Sequence, residues 1–275
     1  MQIIDPHVHV WANDPAFPWP AENTNPPKED FNAEMLLENM AANGVDKTVL
    51  VQVIHFRWDN SYIAHVIKKY PDKFMAVGRI NPEDPAAPDH MSMWKEDHGI
   101  HGFRLSPSAE AAGDWFAGPL MPPIFARAQE LGVPILLLTR ASRLLDLAPL
   151  LEKYPDVDLC IDHMSDVHVD DVERRKILLD TARFPRTYVK ISHTWSISGE
   201  EYPWRDTHSL VKDVYQTYGA QRIMWGTDWP VCLSKARYDQ ALTSVRDEMK
   251  FISPDDLEWV LGKTVKRLWN FGEEN

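Results

Sequence analysis

Apolar residues gather into eight short runs, at 3–9, 48–53, 74–79, 100–105, 134–139, 157–162, 188–192 and 223–227. These runs are rich in Val, Ile and Leu and show little polar alternation, the pattern of strands buried on both faces of a parallel sheet. Between them, apolar positions recur every three or four residues at 33–43, 60–69, 121–131, 142–153, 170–182, 207–218 and 236–249, which predicts helices. Helix ends are punctuated by Asn43-Gly44, Tyr70-Pro71, Leu131-Gly132 ahead of Pro134, and Tyr154-Pro155. Ser253-Pro254-Asp255-Asp256 sets a cap with proline in the first turn and opens a last helical region toward Asn270. Strand–helix units repeated without a linker predict an α/β fold, a single (β/α)8 TIM barrel over 1–275. An open doubly wound sheet is the competing architecture, but no glycine-rich dinucleotide loop follows the first strand.

Composition narrows the function classes. The chain has 275 residues and 44% hydrophobic content, enough for a large core without disulfides. Its net charge of −12 argues against a nucleic-acid surface. Cys160 and Cys232 do not form a CxxC pair, so neither a disulfide framework nor a thiolate metal site is expected. The N-terminus lacks a signal-peptide pattern, and no apolar run approaches the roughly 20 residues of a membrane span. The expectation is a cytoplasmic protein without nucleic-acid or membrane partners. A homodimer is a common state for barrels of this size, and the sequence leaves it open.

In a barrel, chemistry belongs at the C-terminal ends of the strands. Those positions carry His7 and His9 after the first strand, His55 after the second and Arg104 in the fourth. Thr139-Arg140 follows the fifth, His163 the sixth, Lys190 and His193 flank the seventh, and Asp228 follows the eighth. Asp5-Pro6-His7-Val8-His9 puts two imidazoles on one face of a strand, able to converge on one ion or one substrate atom. Asp228 lies between indoles in Trp225-Gly226-Thr227-Asp228-Trp229-Pro230, where it can act as a general base or a metal ligand. A turn or cap aspartate is its structural alternative. Of the Asp162-His163 pair, His163 is assigned to the site. Arg104, inside the apolar run Gly102-Phe103-Arg104-Leu105, needs an anionic or carbonyl partner, and a substrate oxygen is favoured over a protein carboxylate. Lys190 and His55 are weaker substrate-binding candidates. The long connections 10–30 and 193–206 carry Trp11, Phe17, Trp19, Trp195, Tyr202 and Trp204, and are expected to wall the pocket.

Taken in order, Asp5-Pro6-His7-Val8-His9, Gly102-Phe103-Arg104-Leu105, Asp162-His163 and Trp225-Gly226-Thr227-Asp228-Trp229-Pro230 resemble the amidohydrolase superfamily, in its amidohydrolase-related branch. The closing Leu261-Gly262-Lys263-Thr264 is similar to the family's final helix, with Thr264 in place of the usual asparagine. Within that branch the chain looks most like lactonases of pyrone dicarboxylate, sugar lactones or muconolactones. The fifth strand, Pro134 to Thr139, lacks the metal-binding histidine or lysine of many superfamily members, a loss that the lactonases share.

The resemblance implies a hydrolase that opens a lactone or similar cyclic carbonyl by attack of water activated by Asp228. Arg104 and the histidines would stabilise the oxyanion, and His163 would bind the carbonyl or orient the water. One zinc or manganese ion on His7, His9, Asp228 and His163 is the expected cofactor, with a metal-free mode as the alternative. The expected substrate is a small carbonyl compound, oxygen-rich or anionic, held by Arg104, His55, Lys190 and Trp11. The rival readings are a metal-dependent non-oxidative decarboxylase of an aromatic or muconate-type acid and a catalytically silent scaffold barrel.

Overall fold

The computed structural model describes residues 1–106 and 116–271. Eight parallel strands follow one another around the sheet in chain order: β1 (Ile4–Val8), β2 (Lys47–Val51), β3 (Phe74–Arg79), β4 (Phe103–Leu105), β5 (Ile135–Leu137), β6 (Leu159–Ile161), β7 (Thr187–Lys190) and β8 (Ile223–Met224). Every neighbouring pair is parallel, and a bridge between Val8 and Trp229 brings the last strand back to the first. This is a TIM barrel, as the alternation of elements predicts.

Helices cover the outside: α1 (Ala33–Asn43), α2 (Ser61–Lys69), α3 (Ala87–Glu96), α4 (Met121–Leu131), α5 (Ala148–Lys153), α6 (Val172–Asp180), α7 (Thr194–Ile197), α8 (His208–Tyr218), α9 (Tyr238–Thr243), α10 (Pro254–Glu258) and α11 (Thr264–Trp269). Local chemistry sets their ends. The Asn32 side chain caps α1 by accepting from the Met35 amide, and Gly44 closes it in the left-handed region at φ 67°. Ser253 caps α10 in the same way, accepting from the Asp256 amide. Three predicted helices are broken up. The 142–153 segment opens as the 3₁₀ turn Ala141–Leu147 before α5, and α9 widens into the π-turn Ser244–Glu248. The last region is α10, the π-turn Trp259–Lys263 and α11 in unbroken succession. Helix α3 has no counterpart in the apolar periodicity, since only Ala87 and Met91 of it are buried.

Two packed regions result. Between sheet and helices lies the main core, and inside the barrel Ile4, Val49, Val51, Val77, Leu136, Cys160 and Met224 are all buried together. Successive side chains on a strand alternate between these regions, so residues two positions beyond a lumen residue face the barrel mouth. That rule places Arg79 beyond Val77, Asp162 beyond Cys160, and Lys190 beyond Tyr188. On β1 the count is odd, from Ile4 to His7. A register shift between Asp5 and Val8 resets the alternation, so that both histidines meet the mouth.

The closing seam between β8 and β1 is knitted by backbone and side chain. The Asp228 amide donates to His7 O at 2.9 Å, and the His9 amide donates to Trp229 O at 2.7 Å. Asp5 Oδ1 accepts from the Thr227 amide and Oδ2 from the Thr227 hydroxyl, at 3.2 and 2.6 Å. The fully buried Trp225 indole donates to Ile4 O and Leu261 O, tying β8 to β1 and to the last helical region. Both cysteines are buried and free. Among the described residues no helix is long and apolar enough to cross a membrane.

Candidate active site

The strand ends bring His7, His9, His163, His193 and Asp228 into one buried cluster at the seam, with Asp162, Lys190 and Arg104 packed against its inner side. Three groups within it have ligating atoms that all lie within 4.8 Å of one another: His7, His9 and Asp228; His163, His193 and Asp228; His7, Asp162 and His163. Asp228 belongs to two of them.

His9 Nδ1 lies 2.6 Å from Val51 O. A carbonyl only accepts, so Nδ1 carries a proton and Nε2 faces the cluster. That Nε2 sits 3.0 Å from Asp228 Oδ1, and His7 Nε2 sits 3.4 Å from the same oxygen. His7 Nε2 and Asp228 Oδ1 are both sealed from solvent without a hydrogen-bond partner. Two imidazole nitrogens converging on one carboxylate oxygen are the residue types and spacing that would fit a small divalent cation. Burial, reinforced by the Lys190 charge, pushes His7 down to about 3, so its ring is neutral; with Nδ1 accepting from Lys190, its proton sits on Nε2 and would have to leave for that nitrogen to hold a cation.

His163, His193 and Asp228 share an unusual backbone state. Each follows its strand at positive φ, 53°, 64° and 57°, so the chain leaves the barrel while the side chain turns back into it. His163 Nδ1 is 2.8 Å from Ser192 Oγ, and its ring stacks on His193 with centroids 3.6 Å apart. Burial, with His193 and His7 adding to it, holds His163 well below the ordinary imidazole range. His193 Nε2 is bonded to Asp228 Oδ2, and its Nδ1 lies 3.4 Å from Asp166. Burial opposes its charged form, but the bonds to Asp166 and Asp228 prevail and raise it to about 9. Asp228 is correspondingly ionised: burial disfavours the anion, yet the bond from His193 holds its carboxyl well below the usual range.

On the inner side, Asp162 takes the Arg104 Nε at 2.8 Å and the Lys190 Nζ at 3.0 Å. Lys190 Nζ is also 3.0 Å from His7 Nδ1. Burial works against the Asp162 anion, but Lys190 and Arg104 keep it well below the usual range. The preference for a substrate oxygen over a protein carboxylate at Arg104 is thus corrected, because Asp162 holds its Nε. Among the described residues its terminal nitrogens make no hydrogen bond. Lys190 is fully buried beneath the site, holding Asp162 and His7 in place. His55 is half-buried on the 3₁₀ turn Ile54–Phe56, its ring 6.3 Å from those of Trp11 and Trp19. Trp11 is buried, and its indole donates to Glu29 O, so it offers an aromatic wall.

Asp162 and His193 carry more of the site than sequence reasoning gives them. His193 was visible from its place just past β7, the same rule that selects His163, while the importance of Asp162 lies in partners from three other strands. Arg140 is exposed. A groove of about 640 Å³ at the strand-start side of β3 and β4, lined by Phe17, His65, His98 and His101, shares no residue with the cluster.

A parallel barrel whose last and first strands meet at an HxH pair and a buried aspartate defines the class with which the chain compares. The amidohydrolase family profile matches residues 4–271, and the chain belongs to this family. It is 26% identical over 235 residues to an L-fucono-1,5-lactonase of Burkholderia ambifaria, covering 83% of this chain and 80% of that protein. It is also 26% identical over 230 residues to a 4-sulfomuconolactone hydrolase of Hydrogenophaga intermedia, covering 82% and 74%. A solved amidohydrolase from Burkholderia multivorans with bound zinc superposes with a TM-score of 0.81 at 21% identity, covering 98% of this chain and 99% of that one.

Proposed function

We propose that this protein is a lactonase, hydrolysing a cyclic ester by attack of water activated by Asp228. One observation carries the reading: a buried, ionised carboxylate with one oxygen facing His7 and His9 and the other held by His193. The relatives named as lactone hydrolases support the bond type. The fifth strand brings no imidazole to the cluster, which counts against the decarboxylase reading with its tightly bound metal.

Asp228 takes a proton from water as the water oxygen bonds to the carbonyl carbon and the carbonyl electron pair moves onto oxygen. The His163 ring is placed to face that oxygen and stabilise its growing charge. Collapse of the tetrahedral adduct breaks the ring C–O bond, and Asp228 returns its proton to the departing alkoxide. His193 fixes the plane of the Asp228 carboxylate. His7, His9 and Asp228, with His163, are the residues that would hold zinc or manganese, which when bound supplies Lewis-acid polarisation of the carbonyl and acidifies water.

Asp228→Asn should lower kcat by about 10²- to 10⁴-fold while the circular dichroism spectrum keeps its native shape, with a lower melting temperature from the lost His193 pairing. Near-normal turnover would remove Asp228 as the base. A lactone and carboxylate panel, assayed before and after chelation with metal analysis of the same sample, decides reaction class and metal dependence together. Carbon dioxide release without ring opening would establish the decarboxylase instead.

A further inference from the structure

Arg79 is the last residue of β3 and only 6% exposed. Its Cα pairs in register with that of Arg104, and Val77 two residues before it packs in the lumen, so its side chain leaves the strand toward the barrel mouth. Everything it touches is neutral. Its Nη1 donates to Ile54 O and Arg57 O, each at 3.3 Å, and its guanidinium lies 4.7 Å over the Trp58 ring. Its Nε is sealed from solvent with no partner.

Among the described residues no carboxylate lies within ion-pair distance of Arg79, and the charges near it, Arg104 and Arg57, share its sign. The inner wall therefore carries Arg79, Arg104 and Lys190 against the single carboxylate Asp162. A buried guanidinium with surplus positive charge around it costs several kcal/mol unless an anion completes it, and the described residues supply none. Beyond the ends of β4 and β5, Ser106 Oγ and Thr139 Oγ1 are likewise buried without partners.

We propose that Arg79, together with the terminal nitrogens of Arg104, seats a carboxylate of the substrate and makes the enzyme selective for anionic cyclic esters over neutral ones. This rests on the lactonase reading for the reaction, though not for the anion seat itself. The planar fork of a guanidinium matches a carboxylate, and a site built to pair one rejects an uncharged analogue because the buried charge is then left unpaired.

Two measurements test it. The first compares kcat/KM for γ-butyrolactone-3-carboxylate and for its carboxamide. Wild type should favour the acid by about tenfold or more, and the ratio should collapse toward roughly one in Arg79→Met, with Arg79→Lys in between. The second titrates glutarate and glutaramide by tryptophan fluorescence, which needs no turnover. Glutarate should bind wild type at least about tenfold more tightly than it binds Arg79→Met, and more tightly than glutaramide binds wild type. An acid-to-amide ratio and a glutarate affinity both kept within roughly twofold in Arg79→Met would overturn the proposal. If wild type opens neither lactone but binds glutarate through Arg79, the lactonase reading fails and the anion seat stands. If Arg79→Met does not fold, Arg79→Lys and the glutarate–glutaramide comparison on wild type decide, and equal affinities refute the seat.

Discussion

His193 is held as a cation by two carboxylates, which gives the site a titration of its own. Its folded value of about 9 lies above the ordinary 6.5, so the native protein keeps the proton more tightly than the unfolded chain does. The resulting stabilisation is complete below pH ~6.5 and is lost as pH rises through about 9. In chelator-treated protein, wild type should exceed His193→Phe in unfolding free energy by on the order of 3 kcal/mol at pH 6, with the gap closing by pH 10. A gap that does not change with pH would show that His193 is not protonated against Asp228 and Asp166. Sequence reasoning located the residues but not their charge states. His7, His9, His163 and Asp228 were legible because each sits where a barrel strand ends. The neutral state of His7 and the cationic state of His193 depend on Lys190 and Asp166, which only the closed barrel brings near. Arg79 was hidden for the same reason: an arginine at a strand end looks like any ion-pair partner until the described residues around it prove to hold no anion.

Between β6 and α6 the chain makes a complete left-handed turn, with His163, Met164, Ser165 and Asp166 at φ between 50° and 54°. Each L-residue in that region costs about 1–2 kcal/mol, and such strain persists where packing over-determines it. Met164 and Ser165 are buried, and Ser165 Oγ has no partner. Ser165→Gly removes both penalties, and denaturant unfolding should show a gain of about 1 kcal/mol. A loss of stability would mean that the turn is not under strain. Regular elements were legible because their apolar periods are set by local geometry. This turn was not, since Asp162-His163-Met164-Ser165 carries no glycine to announce a left-handed backbone. Helix α3 escaped notice for a simpler reason, as its two buried positions are too few to set a period. The π-turns are also invisible to a 3.6-residue period, because each inserts a residue and buries consecutive positions, Val260, Leu261 and Gly262 in the last one.

At the scale of the molecule, the count of eight strand–helix units was enough to give the barrel, because each unit buries its faces in the same way. What the count does not contain is how the ring is shut. Gly262, in the π-turn before α11, lies so close to β1 that a Cβ there would overlap the Gln2 carbonyl oxygen. Gly262→Ala should therefore cost about 3 kcal/mol by forcing the last helical region off the seam, measurable as a lower denaturation midpoint. An unchanged midpoint would show that the N-terminal residues yield freely. The seam is also where the imidazoles of β1 meet the carboxylate after β8, and this orders events in time. During translation His7 and His9 emerge early, while Asp228 follows some 220 residues later, about 10–45 s at ribosomal speed of ~5–20 residues per second. Until then the nascent chain has neither a ring nor a reaction centre. If Asp228 is the base, turnover by a newly made molecule certifies that synthesis has passed that residue, and chains released before it lack the seam.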